Sequence, residues 1–236
     1  MLHSGQLPLP FSPDVRFAAV DFREAPSNEA ARAWLARTDD WPDHRLLLWG
    51  GSGCGKTHLL HIWAARIGAA LWSGPELRGL PDLPERGIAI DVADAVADET
   101  ALFHLLNAAR EAGLPLLLAG RTPPSRWTIG LPDLASRLRA ITAVEIGLPE
   151  DELLRALLAR LLADRQLRLA EPVQDWLLLR LPRSAAALGE AVALLDEAAL
   201  AARRDITVPL AREVLADMRL DDPLAERPTS PVGWRP

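Results

Sequence analysis

The sequence predicts an α/β fold, a parallel sheet with flanking helices, followed by a smaller helical unit. Three observations carry this prediction. Residues Gly50, Gly51, Ser52, Gly53, Cys54, Gly55, Lys56 and Thr57 form a full GxxxxGK[ST] phosphate loop between an apolar run at 46–49 and a helix-like stretch at 56–67. That motif requires strand, loop and helix in this order. Apolar runs then alternate with helical patterns up to residue 148, as expected for buried parallel strands joined by helices. Beyond Leu148 and Pro149 the texture changes to helices rich in Leu, Ala and Arg.

In chain order, the first segment holds Pro8, Pro10 and Pro13 and no periodic pattern, so residues 1–12 read as an extended, flexible arm. A short amphipathic helix follows at 27–37, with Ser27 as its N-cap and Ala30, Ala31, Trp34 and Leu35 on one face. Buried strands are expected at 46–49, 69–72, 88–90, 114–119 and 142–146. Helices are expected at 150–165, 172–181, 184–203 and 210–218, with Pro172 and Pro209 near helix starts and Pro182 between two helices. From Asp221 onward neither periodicity nor apolar content supports order. The resulting division is an arm at 1–12, an α/β base at 13–149, a helical lid at 150–218 and a loose tail at 219–236.

Composition narrows the function. With 236 residues and 49% hydrophobic content the chain can bury a substantial core. Its 26 basic and 32 acidic residues leave a formal charge of -6, which argues against holding nucleic acid chiefly by neutralising phosphates. Cys54 is the single cysteine, and no membrane-length apolar stretch or signal-peptide pattern occurs, so a soluble cytoplasmic protein is expected.

The chemistry begins at the phosphate loop. Its glycines let backbone N–H groups turn toward phosphate oxygens, Lys56 brings a point charge to the terminal phosphates, and the Thr57 hydroxyl can ligate Mg²⁺. The helix that follows adds its positive N-terminal end. Asp91 closes the apolar run Ile88-Ala89-Ile90 and reads as the Walker B acid that holds Mg²⁺ through its water shell. ADP or ATP with Mg²⁺ is therefore the expected ligand. Asp94 reads as a loop carboxylate and Arg121 as a solvated strand-end arginine. His58 and His61 lack a third ligand for a metal, Cys54 has no base partner, and the eight tryptophans form no stacking platform.

A resemblance sharpens this reading. Gly130-Leu-Pro-Asp-Leu-Ala-Ser-Arg-Leu138, preceded by Leu116-Leu-Leu-Ala-Gly-Arg-Thr-Pro-Pro124, resembles the AAA+ module of DnaA-like proteins, and most closely the Hda family. Asp21-Phe-Arg-Glu-Ala-Pro-Ser-Asn28 is similar to the entry segment before the first helix of that family, and Leu195-Asp-Glu-Ala-Ala-Leu with Ile206-Thr-Val-Pro209 to its lid. DnaA carries a C-terminal helix-turn-helix domain, and this sequence ends where that domain would begin, so the resemblance implies the inactivator rather than the initiator.

The resemblance also assigns roles. Gln6-Leu-Pro-Leu-Pro-Phe11 resembles the peptide by which Hda docks on the DNA polymerase III sliding clamp, with Gln6 offering an amide, Leu7 alongside, and Leu9 and Phe11 entering an apolar pocket. Arg137, in its Ser-Arg-Leu context, matches the arginine finger that an AAA+ subunit projects into a neighbour's nucleotide site; Arg139 reads as surface charge. Val92 stands where hydrolysing relatives place a second acid, and Ala119-Gly120 where they place a phosphate sensor, implying at most weak intrinsic ATPase activity. Register through Leu195-Asp196 puts Ala186 at the position of the lid sensor arginine, near Arg183. The expected partners are the initiator DnaA and the clamp, without sequence-specific DNA binding or a membrane; a homo-oligomer is compatible with the sequence. Two other readings stay open: a self-sufficient P-loop ATPase of the helicase-loader type, and a nucleotide-gated adaptor that loads the initiator on DNA.

Overall fold

A computed structural model of the protein describes residues 22–79, 81–202 and 205–218. The clamp-type peptide, including Gln6, Leu7, Leu9 and Phe11, and the tail from residue 219 lie outside the described residues. Five strands form one sheet: β1 (Arg45–Trp49), β2 (Ala70–Ser73), β3 (Ile88–Asp91), β4 (Leu116–Gly120) and β5 (Ala143–Glu145). The order is β2-β3-β4-β1-β5, and every neighbouring pair is parallel.

Alternation along the strands divides the core into two layers. Leu47, Ile88, Ile90, Leu116 and Leu118 face α3 (Glu99–Glu111) and α4 (Pro132–Arg139), meeting Leu102, Leu105, Leu134 and Leu138. Leu46, Leu48, Ala89, Leu117 and Ala119 face α1 (Pro26–Ala36) and α2 (Lys56–Ile67), where Leu35, Leu60 and Trp63 pack. Trp63 is buried, stacks on Trp41 at 5.1 Å between centroids and donates its indole N–H to Thr38 Oγ1 at 3.0 Å. Burial on both faces explains why the central strands β3, β4 and β1 read as continuous apolar runs.

The C-terminal helices α5 (Asp151–Asp164), α6 (Glu171–Arg180), α7 (Ala185–Ala202) and α8 (Val208–Val214) enclose a core of their own. Leu154, Leu158 and Leu162 recur every fourth residue on α5 and meet Leu188, Val192 and Leu195 of α7. Among the described residues no helix is long and apolar enough to cross a membrane.

Two local expectations are corrected. Ser27 does not cap α1; the helix starts at Pro26 with Ala25 as N-cap, because a proline at the first helical position has no N–H to satisfy and a suitable fixed φ. Asn28 takes the polar role instead, its Oδ1 accepting from Ala25 N–H at 3.2 Å. Strand β4 starts at Leu116 rather than at 114, since Leu114 still closes α3 by donating its N–H to Ala109 O at 2.8 Å, across Gly113 in a left-handed turn at φ 64°.

Candidate functional site

The loop 50–57 leaves the C-terminal end of β1 beside the ends of β3 and β4, since Trp49 pairs with Gly120 on one side of the sheet's centre and Ser73 with Asp91 nearby. Open parallel sheets bind ligands at this edge. Gly53 sits at φ 75° and Gly55, the N-cap of α2, at φ 101°. A Cβ on Gly53 would lie 2.0 Å from Ser184 Cβ, so only glycine allows the loop to pass beneath the start of α7. Lys56 Nζ donates to the carbonyls of Gly50 and Gly51, both at 2.7 Å, and lies 3.6 Å from Cys54 Sγ.

Thr57 Oγ1 donates to Asp91 Oδ2 at 2.7 Å, bringing the two sequence-predicted Mg²⁺ oxygens together from α2 and β3. The second carboxylate oxygen of Asp91 accepts the N–H of Val92 at 2.9 Å. Val92 adopts a left-handed backbone at φ 51°, a costly conformation for a β-branched residue, directly after the metal-type acid. Asp94 accepts the N–H of Arg121 at 2.7 Å and so ties the end of β3 to the end of β4. At Gly120 an added Cβ would meet the Trp127 ring at 2.5 Å, which is why no polar side chain stands at the end of that strand.

His61 follows on α2. Burial pushes its imidazole below the usual value, Asp91 opposes this and His58 adds to it. Because the folded form resists the proton, the unfolded chain takes up more protons below a pH of about 6.5. Stability associated with His61 is thus present above that pH and lost as the pH falls through the folded value. The melting temperature of the parent is expected to drop more than that of His61→Gln between neutral and mildly acidic buffer, and parallel curves would contradict this.

The junction between base and helices is bonded from both sides. Glu150 accepts the N–H of Ser27 at 2.7 Å and its hydroxyl at 2.9 Å. Its carboxyl is held below the usual range first by its own backbone N–H, which burial opposes, and then by the Ser27 bonds and the Arg183 charge. Arg183 donates twice to the carbonyl of Pro149, at 3.1 and 2.7 Å, and its guanidinium meets Asp151 at 2.6 Å. Arg183 therefore fastens the junction, and Ser184 is the residue that reaches the loop. Ala186 is exposed as the second residue of α7. The Ser27–Glu150 bond spans 123 positions and leaves no local sequence signal.

A second polar face lies at the end of α4. Arg137 is half-buried, stacks its guanidinium carbon over the Phe103 ring at 4.8 Å and donates to Asn107 Oδ1. It lines a surface concavity of about 450 Å³ with Asp43, Arg45, Arg110, Asp133, Ser136 and Ala140. Arg45 is buried and donates to Leu106 O at 2.7 Å. Burial lowers its affinity for the proton, Asp43 opposes this, and Arg110 and Arg137 add to it, marking the concavity as rich in positive charge. Asp43 and His44 both take left-handed backbones at φ 51° and 57°, turning the chain sharply at this rim. Arg139 is exposed, as the sequence suggests.

Residues 150–215 match the family model described as Hda, lid domain. Over that helical unit the chain is similar to the lid of Hda. Its backbone is similar to domain III of the Thermotoga maritima replication initiation protein DnaA, with a TM-score of 0.71 at 18% identity, covering 89% of this chain and 99% of that one. AMPPCP-bound DnaA from Aquifex aeolicus gives a TM-score of 0.61 at 16% identity, over 77% and 65% of the two chains. The Thermotoga maritima RuvB Holliday junction branch migration motor gives 0.60 at 20% identity, over 80% and 66%. At these identities the likeness shows a shared fold. The fold places loop 50–57, Thr57 and Asp91 in one site and Arg137 in another, while Ser184, Asn107 and Phe103 escaped sequence reasoning because each is defined by a distant partner.

Proposed function

We propose that this AAA+ protein regulates replication initiation negatively, by stimulating ATP hydrolysis in the initiator DnaA while docked on the sliding clamp. The observation that carries the reading is the placement of Arg137: its guanidinium lines an open concavity and contacts a ring face and a neutral amide. The Hda lid match at 150–215 supports the choice of partner. A guanidinium aimed at a transferring phosphoryl group contributes on the order of 10³ to 10⁵ in rate.

The chain's own site has the residues to hold ADP or ATP. The glycine loop offers backbone N–H groups and Lys56 a cation, and Thr57 and Asp91 present an oxygen pair 2.7 Å apart of the kind Mg²⁺ takes. A bound Mg²⁺ would neutralise phosphate charge there. Val92 supplies no second acid and Gly120 no sensor side chain, which supports a nucleotide held for shape more than for turnover. Ser184, beside Gly53, links loop occupancy to lid position, and the Ser27–Glu150 and Arg183–Asp151 bonds stiffen the junction that transmits it.

In this proposal Gln6, Leu7, Leu9 and Phe11 tether the protein to the DNA-loaded clamp in the cytoplasm, raising the effective concentration of a weak contact with the initiator. Gln6→Ala is expected to abolish recovery of the chain on immobilised clamp while leaving ADP affinity unchanged; retention on the clamp would remove the arm from the mechanism. The broader test compares phosphate release by DnaA with and without this chain and DNA-loaded clamp. Stimulation that needs both is expected, and steady turnover by this chain alone would instead favour a self-sufficient ATPase.

A further inference from the structure

We infer that Asn107 and Phe103 are positioning residues that hold the Arg137 guanidinium in place while leaving its charge uncompensated for a phosphate presented by a second protein. The inference rests on the reading of Arg137 given above and adds how the finger is kept ready.

Phe103 and Asn107 are one turn apart on α3 and so share a face. Phe103 presents its ring to the guanidinium at 4.8 Å, and Asn107 Oδ1 accepts from Nη1 of the same group. Both contacts fix the plane of the guanidinium, and neither carries a negative charge. Carboxylates are nevertheless close. Asp133 precedes Arg137 by four positions on α4, the spacing at which helical ion pairs form, and Asp43 lines the same concavity. Among the described residues Asp43 instead meets Arg110, at 3.8 Å, and Arg137 joins no ion pair.

This selection matters for a cation that must act on a charge arriving from outside. A carboxylate partner would orient the guanidinium equally well but would have to be displaced, and its attraction grows as the interface closes and water leaves. An amide oxygen and a ring face give orientation with a far weaker hold. Preorganised charge of this kind is what stabilises a transition state without reorganisation at the moment of reaction.

The test uses the full chain, DNA-loaded clamp and the partner ATPase, and reads the maximal stimulated rate, the half-saturating concentration and the melting temperature. Asn107→Ala is expected to lower the maximal rate by about 10- to 100-fold, the scale of a misplaced catalytic group, with half-saturation unchanged. Asn107→Asp, which keeps size and an acceptor but adds charge, is expected to lower the rate comparably while melting no earlier than the parent. Phe103→Leu is expected to cost about two- to fivefold, the loss of one exposed cation–π contact. Arg137→Ala is the reference arm. If it retains full stimulation, the reading of Arg137 itself fails; if it is inactive while Asn107→Asp matches the parent, the finger stands and the neutral-holder inference is overturned. Losses that track melting temperature across the Asn107 variants would assign the residue to structure alone and overturn it too.

Discussion

Arg137→Ala is expected to remove stimulated hydrolysis by the initiator, a loss on the order of 10³-fold or more, with clamp docking and ADP affinity intact. The side chain lies at the surface end of α4, held by Phe103 and Asn107, and contributes little to either core layer. Its removal should scarcely change the melting temperature, so an inactive variant would still be folded. Arg137→Lys is expected to recover only a small part of the rate, because a single ammonium matches neither the fork geometry of phosphate oxygens nor the stacked contact with Phe103. A Lys variant as active as the parent would indicate that charge alone, without geometry, suffices.

Lys56→Ala is expected to weaken ADP and ATP affinity by about 10- to 100-fold, the equivalent of about 1.5–3 kcal/mol for one charge-assisted interaction, read by calorimetry. The side chain also joins the carbonyls of Gly50 and Gly51, so its loss loosens the loop that passes under Ser184. Stimulation of the initiator should fall as well, because an unoccupied loop leaves the lid unset. The two variants therefore separate the sites. Arg137→Ala binds nucleotide but does not stimulate, whereas Lys56→Ala regains stimulation at high ADP. Unchanged nucleotide affinity in Lys56→Ala would contradict the assignment of loop 50–57.

The central strands β3, β4 and β1 were readable because each is buried on both faces, which makes runs such as Leu46 to Leu48 and Ile88 to Ile90 apolar at every position. The Lys56–Ile67 helix followed from a motif whose spacing is fixed by the chemistry of phosphate, whereas the hydrogen bond between Thr57 and Asp91 joins two residues read separately as metal ligands. Ser27 was misread because a local rule, a hydroxyl before a helical run, competes with Pro26 at the first helical position and with Glu150, a partner 123 positions away. The neutral setting of Arg137 was equally hidden. Its nearest carboxylate in sequence, Asp133, lies at ideal helical spacing, while the group that binds it, Asn107, comes from a different helix. Arg183 shows the same limit, since its ties to Pro149 and Asp151 depend on how α7 returns to the start of α5.

In the proposed mechanism the triphosphate being hydrolysed sits on the partner, and the guanidinium completing its site belongs to this chain. The most direct measurement loads DnaA with radiolabelled ATP, removes the free nucleotide, adds this chain pre-loaded with unlabelled ADP together with DNA-loaded clamp, and follows the label in a single turnover. Rapid conversion of initiator-bound ATP to ADP, lost with Arg137→Ala, is the predicted result. Label that stays as ATP on the initiator, with hydrolysis seen only when ATP is offered to this chain, would contradict it.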